Sequence, residues 1–208
     1  MTMVASSRPR IGVMGGTFDP IHVGHLAIAE EAREALAVDR IMFVPAGVPP
    51  HKAAGEVTPA VHRVAMVALA IADNPAFELS RIEVDRPGPS YTVDTVARLA
   101  DTAEVTLILS AETLRQLPSW HQPERLFAVA RVAVVPREGY PAPDPAWLAA
   151  TFPGQQDRVS YLDGPRLGLS STAIRARVAA GRSIRYVVPD AVAAYIADHH
   201  LYRRTAAT

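Results

Sequence analysis

Six short runs rich in Val, Ile, Leu and Phe recur along this chain, and segments with helical spacing of apolar residues lie between them. The runs fall at 10–14, 39–44, 77–84, 105–109, 131–135 and 158–162. Helical patterns occupy 23–37, 59–72, 92–100 and 124–129, with a weaker one at 144–150 and two more at 171–180 and 190–198. Runs that are apolar throughout suit strands buried on both faces. Parallel neighbours in such a sheet need crossover connections, which helices supply. The pattern therefore predicts an α/β fold, a doubly wound parallel sheet with helices on both faces and further helices at the C-terminal end. With 208 residues, the chain is within the range of one such domain. No repeat, low-complexity tract or linker divides it, so residues 10–203 read as one domain and 1–9 as an N-terminal extension expected to be flexible. In open sheets of this kind ligands gather beyond the carboxyl ends of the strands.

Composition narrows the function classes. Lys and Arg number 21 and Asp and Glu 21, a formal net charge of +0, so there is no basic excess to suggest a nucleic-acid partner. The absence of cysteine removes disulfides, thiolate metal sites and cysteine nucleophiles together. The apolar run at 11–14 is too short for a signal-peptide core, and no segment reaches membrane-spanning length. A cytoplasmic location and no membrane partner are expected, and the sequence leaves open whether the chain forms a homo-oligomer. Lys52 is the sole lysine. It ends the string Pro49-Pro50-His51-Lys52, where a flexible point charge suits a phosphate.

The chemistry begins where the first strand ends, in Gly15-Gly16-Thr17-Phe18-Asp19-Pro20-Ile21-His22-Val23-Gly24-His25. Gly15 and Gly16 let a ligand approach the backbone closely. Pro20 suits a helix start, with Asp19 as its expected N-cap. His22 and His25, three residues apart, share a face of the first turn. The free N–H groups and dipole of that turn favour an anion. Two imidazoles there can donate hydrogen bonds to phosphate oxygens as charge builds during transfer. Gly24 between them keeps the wall low enough for a nucleotide to lie against the helix. Alone, the two histidines read more readily as surface residues beside a glycine turn. A His-x-x-His metal site would need a third ligand that is not nearby. The turn is neither a P-loop nor a dinucleotide fingerprint.

The string Gly16-Thr17-Phe18-Asp19-Pro20 with His22-Val23-Gly24-His25 resembles the first signature of the HIGH-type nucleotidyltransferase superfamily. Leu169-Ser170-Ser171-Thr172-Ala173-Ile174-Arg175 resembles its second. Ser170, Ser171 and Thr172 are also hydroxyl-bearing N-cap candidates that open a helix, with Arg175 one turn in. Within the superfamily, the segments Phe43 to Lys52, Ser90-Tyr91-Thr92-Val93-Asp94-Thr95, Leu117-Pro118-Ser119-Trp120 and Val188 to Tyr202 are similar to bacterial nicotinate-nucleotide adenylyltransferase. Arg63 falls in that family's helix after strand two, and the similarity covers nearly the whole chain after Arg10.

This resemblance implies a Rossmann-like fold and transfer of the adenylyl group of ATP to nicotinate mononucleotide, giving deamido-NAD and pyrophosphate. It implies catalytic roles for His22, His25 and Arg175. ATP would lie against Gly15, Gly16, Thr17, Phe18, Gly24, Ser110, Ser170, Ser171 and Thr172. The acceptor would meet His51, Lys52, Tyr91, Thr92, Trp120 and Arg137. An indole suits a cationic pyridine ring, though Trp120 reads as well as a core residue, and Ser90 as a plain helix cap. No protein metal ligand is expected, because Mg2+ would be carried mainly by the ATP phosphates.

One departure stands out. Where the family commonly has glycine, a small residue and aspartate after strand four, this chain has Ser110-Ala111-Glu112. The serine brings a side chain close to the nucleotide path, and the glutamate extends the carboxylate by one methylene. Two alternatives therefore stay open: adenylyl transfer to another phosphorylated acceptor, nicotinamide mononucleotide or phosphopantetheine, and a non-catalytic nucleotide-binding sensor.

Overall fold

A computed structural model describes residues 8–49 and 56–203. The chain order is β1 (Arg10–Gly16), α1 (Val23–Ala35), β2 (Arg40–Pro45), α2 (Ala60–Ile71), β3 (Phe77–Leu79), α3 (Thr92–Ala100), β4 (Glu104–Ser110) and α4 (Ala111–Gln116). There follow α5 (Pro123–Val129), β5 (Arg131–Val135), α6 (Pro145–Thr151), β6 (Val159–Tyr161), α7 (Ser171–Ala179) and α8 (Asp190–Asp198). The strands form one sheet in the order β3-β2-β1-β4-β5-β6, and every pair is parallel. The fold is Rossmann-like α/β.

Alternation along β1 divides the core into two layers. Ile11 and Val13 join an apolar cluster with Val96, Leu107, Leu114 and Phe127. Met14 joins the opposite cluster with Ile41, Phe43, Met66 and Ile196. Buried on both faces, the central strands read as continuous apolar runs. From β1 the chain winds outward to β2 and β3, then returns to β4 and winds the other way. The reversal leaves a crevice at the carboxyl ends of β1 and β4, the switch point where open sheets of this kind bind ligands.

Three local readings need correction. The strand expected at 77–84 stops at Leu79. The Asp85 N–H then bonds the Arg81 carbonyl at 2.9 Å, and Arg81 pairs with Asp85 one turn on, so the chain coils away from the sheet. α1 does not begin at Pro20 with Asp19 as its cap. It begins at Val23, with His22 at the cap position. The Asp19 carboxylate is committed elsewhere, accepting the Thr58 N–H at 3.1 Å and the Tyr202 hydroxyl at 2.7 Å. Third, α4 has no counterpart in the sequence reading. Ser110 starts it by accepting the Thr113 N–H at 3.1 Å, which turns the variant serine into an N-cap. Its six residues are too few to show a full apolar period.

Candidate active site

The strand ends open on a cleft of about 750 Å³. Gly15, Gly16 and Thr17 line it from β1, and His22, Gly24 and His25 from the start of α1. Tyr91, Thr92 and Trp120 line it too, as do Ser110 and Glu112 after β4 and Arg137 after β5.

The two imidazoles define the chemistry of the first wall. Their rings stack at 3.7 Å with 22° between planes. The His22 backbone N–H donates to Nδ1 of His25 at 3.2 Å, so the neutral His25 ring carries its proton on Nε2. His22 is 3% exposed, and its buried Nδ1 has no hydrogen-bond partner. Burial, reinforced by the Arg137 charge, lowers the His22 pKa to about 4. Burial first, then His22 and Arg137, holds His25 well below its ordinary value. Both rings are therefore neutral at pH 7 and offer N–H donors rather than fixed charges. An anion entering the cleft would favour protonation of both.

Phe18 takes a different place from the other glycine-loop residues. It is 3% exposed, sits at φ 50°, and meets the His25 ring edge-on at 5.1 Å. Its side chain is a floor for the loop, outside the cleft lining.

The second signature segment is stapled to the first. Ser170 caps α7, accepting the Ala173 N–H at 3.1 Å. The Ser171 hydroxyl donates to the Pro20 carbonyl at 2.8 Å. Arg175 donates to the Asp19 carbonyl at 2.8 Å and to the Thr172 hydroxyl at 3.3 Å. Of this segment Leu169 lines the cleft, while Ser170, Ser171, Thr172 and Arg175 lie outside its lining. Arg137 spans toward the same segment, 3.5 Å from the Leu169 carbonyl, with Glu112 3.6 Å away on its other side. The variant glutamate thus faces a cation.

Among the expected acceptor residues, Trp120 is half-buried, packing on one core cluster while lining the cleft, so the two readings of it are compatible. Ser90 does not cap α3, whose cap position is Tyr91. Its hydroxyl oxygen instead accepts the N–H groups of Gly47 at 3.0 Å and Val48 at 3.2 Å. His51 and Lys52 lie outside the described residues.

Sequence reasoning assigned no role to several groups that shape the cleft. Arg63 is 1% exposed and donates to the carbonyls of Thr17 at 2.8 Å, Thr58 at 2.8 Å, Ala46 at 2.7 Å and Gly47 at 3.3 Å. It ties the glycine loop to the loop after β2, and a lone arginine within the apolar stretch 60–71 was the available signal. His121 stacks on Tyr91 at 4.3 Å. Glu83 falls inside the run 77–84 read as a strand, which hides it, and Tyr202 lies beyond the last helix.

The two segments that resemble nucleotidyltransferase signatures, far apart in the chain, are thus joined at one cleft through Ser171 and Arg175. The family model for cytidylyltransferase-like proteins matches residues 13–177. A protein of Roseiflexus sp. (strain RS-1), named "Probable nicotinate-nucleotide adenylyltransferase", is 54% identical over 200 residues, spanning 95% of this chain and 100% of that protein. One of the same name from Leifsonia xyli is 46% identical over 209 residues, spanning 99% and 100%. The Plasmodium falciparum nicotinic acid mononucleotide adenylyltransferase complexed with NaAD shares the fold, with a TM-score of 0.75 at 19% identity over 93% of this chain and 97% of that one. The chain belongs to the cytidylyltransferase-like family and, within it, to the nicotinate-nucleotide adenylyltransferases. Among the described residues no helix is long and apolar enough to cross a membrane.

Proposed function

We propose that this chain transfers the adenylyl group of ATP to nicotinate mononucleotide, forming deamido-NAD and pyrophosphate. The observation that carries the reading is the furnishing of one cleft. Gly15, Gly16, Thr17, His22 and His25 supply a phosphate-binding wall, and Tyr91, Thr92, Trp120 and Arg137 supply groups suited to an anionic, aromatic acceptor. The domain responsible is residues 10–203, with 1–9 an extension. A cytoplasmic site of action matches the nucleotide pools on which the reaction draws.

A phosphate oxygen of the acceptor attacks the α-phosphorus of ATP. The bond from that phosphorus to the bridging oxygen of the β-phosphate breaks in line, and pyrophosphate departs with the electron pair. No protein nucleophile is required, because positioning and charge stabilisation account for most catalysis of such transfers. His25, protonated at Nε2, donates to the triphosphate, and His22 beside it turns an otherwise unsatisfied ring toward the same oxygens. Backbone N–H groups of the glycine loop and the start of α1 add further donors. Arg137 steers and holds the acceptor phosphate, as do His51 and Lys52. Arg175, Ser170, Ser171 and Thr172 hold the loop that carries the histidines, and they present the start of α7 to the leaving phosphates.

No group of three His, Asp or Glu side chains converges among the described residues. In this reading Mg2+ is held mainly by the triphosphate and water, as is its habit. When bound, the ion would neutralise phosphate charge on the leaving group.

The test is identification of the product. Purified protein incubated with ATP, Mg2+ and nicotinate mononucleotide should yield a species with the mass of deamido-NAD, in step with pyrophosphate. ATP hydrolysis with no dinucleotide would overturn the reading.

A further inference from the structure

Glu83 is 6% exposed, yet it reaches the lining of the cleft. A buried carboxylate is costly unless its oxygens are satisfied, and here two hydroxyls do so. Thr95 donates to Oε1 at 2.8 Å. The Ser90 hydroxyl, whose oxygen accepts two N–H groups and whose proton is left to give, favours the charged carboxylate from close by. The nearby cation is Arg86, whose guanidinium reaches the Thr95 hydroxyl at 3.3 Å.

Each of those hydroxyls belongs to a segment that forms the acceptor end of the cleft. The Ser90 oxygen accepts the N–H groups of Gly47 and Val48. Its own N–H donates to the Val48 carbonyl at 3.0 Å, so residues 47–48 and 90 clasp each other from both sides. The fit is tight: a Cβ on Gly47 would stand 2.3 Å from the Glu83 carbonyl oxygen. Thr95 lies one turn into α3, whose start presents Tyr91 and Thr92 to the cleft, while Ala46 and Pro49 line it from the loop after β2.

We propose that Glu83 is a positioning residue for the acceptor. By accepting the hydroxyls of Ser90 and Thr95, it locks the loop after β2 to the first turn of α3 and so sets the width of the cleft there. The inference rests on the proposed function, which puts the acceptor at that end. Burial raises the Glu83 pKa, with Thr95, Arg86 and Ser90 acting against that. In its ionised form the carboxylate suits this task because it only accepts hydrogen bonds. An amide in its place would present N–H groups to one of the hydroxyls. Ser90, already accepting two backbone N–H groups, would then have to release the loop or leave its proton without an acceptor.

The test is steady-state kinetics of the full chain with ATP, Mg2+ and nicotinate mononucleotide, comparing wild type with Glu83→Gln, Thr95→Val and Thr95→Ser. Glu83→Gln and Thr95→Val should raise the acceptor KM about tenfold, as expected for a wall displaced by a fraction of an ångström. The KM for ATP should stay within about twofold, and Thr95→Ser, which keeps the hydroxyl, should restore the acceptor KM. Because Glu83→Gln can disturb folding, the near-isosteric Thr95→Val against Thr95→Ser decides the matter by itself. An unchanged acceptor KM in folded Thr95→Val, or KM values for both substrates rising together, would overturn the proposal. If wild-type enzyme fails to use nicotinate mononucleotide at all, the functional reading has failed and takes this proposal with it.

Discussion

The backbone N–H of His22 donates to Nδ1 of His25 across 3.2 Å, while the two rings lie stacked 3.7 Å apart. One short contact thus fixes the tautomer of His25 and leaves Nε2–H as its remaining donor. Replacing His25 with Ala removes that donor without opening the sheet core. Turnover should fall about 10²–10³-fold, the usual effect of losing one preorganised donor at a developing charge. The melting temperature should move by only a few degrees. Single-turnover assays beside thermal unfolding check both parts, and a near-normal rate would remove His25 from the mechanism.

The buried His22 ring also makes stability depend on pH. Its folded pKa of about 4 lies below the ordinary 6.5. Above pH 6.5 the ring is neutral in both states, and its contribution is fully retained. Below that, the unfolded chain binds the proton more readily, so stability falls as pH drops from 6.5 toward 4 and levels off beyond. The full loss is about 3 kcal/mol. His25 shifts in the same direction. Urea unfolding at pH 7.5 and 5 should show a smaller loss in His22→Asn than in wild type; equal losses would contradict the assignment.

Gly24 separates stability from function. A Cβ there would lie 3.1 Å from Nδ1 and 3.2 Å from Cε1 of His22, while alanine favours helix by about 1 kcal/mol. Gly24→Ala should therefore fold with near wild-type stability and turn over about tenfold more slowly, because the His22 ring is pushed off its stack. Unfolding curves measured beside kcat test this, and unchanged turnover would mean that the ring has room to yield.

Arg63 is the opposite case. Its guanidinium satisfies four carbonyls in two loops, so Arg63→Met leaves them without a donor in a buried place. The expected destabilisation is about 3–5 kcal/mol, as for other buried hydrogen-bond networks. A loss below about 1 kcal/mol by urea unfolding would show that water replaces the side chain.

Much of this architecture was legible because strands buried on both faces leave unbroken apolar runs, and because α1, α2, α3 and α8 carry clear helical spacing. That one wall of the cleft is built from Gly15 to His25 was legible, because residue types and their spacing fall in one continuous string. What escaped lies between elements or acts across long separations. α4 is too short to carry a period, and Asp19 was read as a local cap although its partners, Thr58 and Tyr202, come from distant segments. The structural role of Ser90 escapes for the same reason, since its partners are backbone groups more than forty residues earlier. The variant Ser110-Ala111-Glu112 became intelligible only with coordinates, as an N-cap and a partner for Arg137. A substitution that looks damaging in sequence can thus be absorbed by its neighbours.

The most direct test of the account is the rate of pyrophosphate release from ATP and Mg2+ with nicotinate mononucleotide, nicotinamide mononucleotide and phosphopantetheine offered separately. The account predicts release with nicotinate mononucleotide at least roughly tenfold faster than with the amide, a preference of about 1.4 kcal/mol, and none with phosphopantetheine. Release with another acceptor alone would keep the reaction and overturn the substrate, and silence with all three from folded protein that still binds ATP would contradict the account altogether.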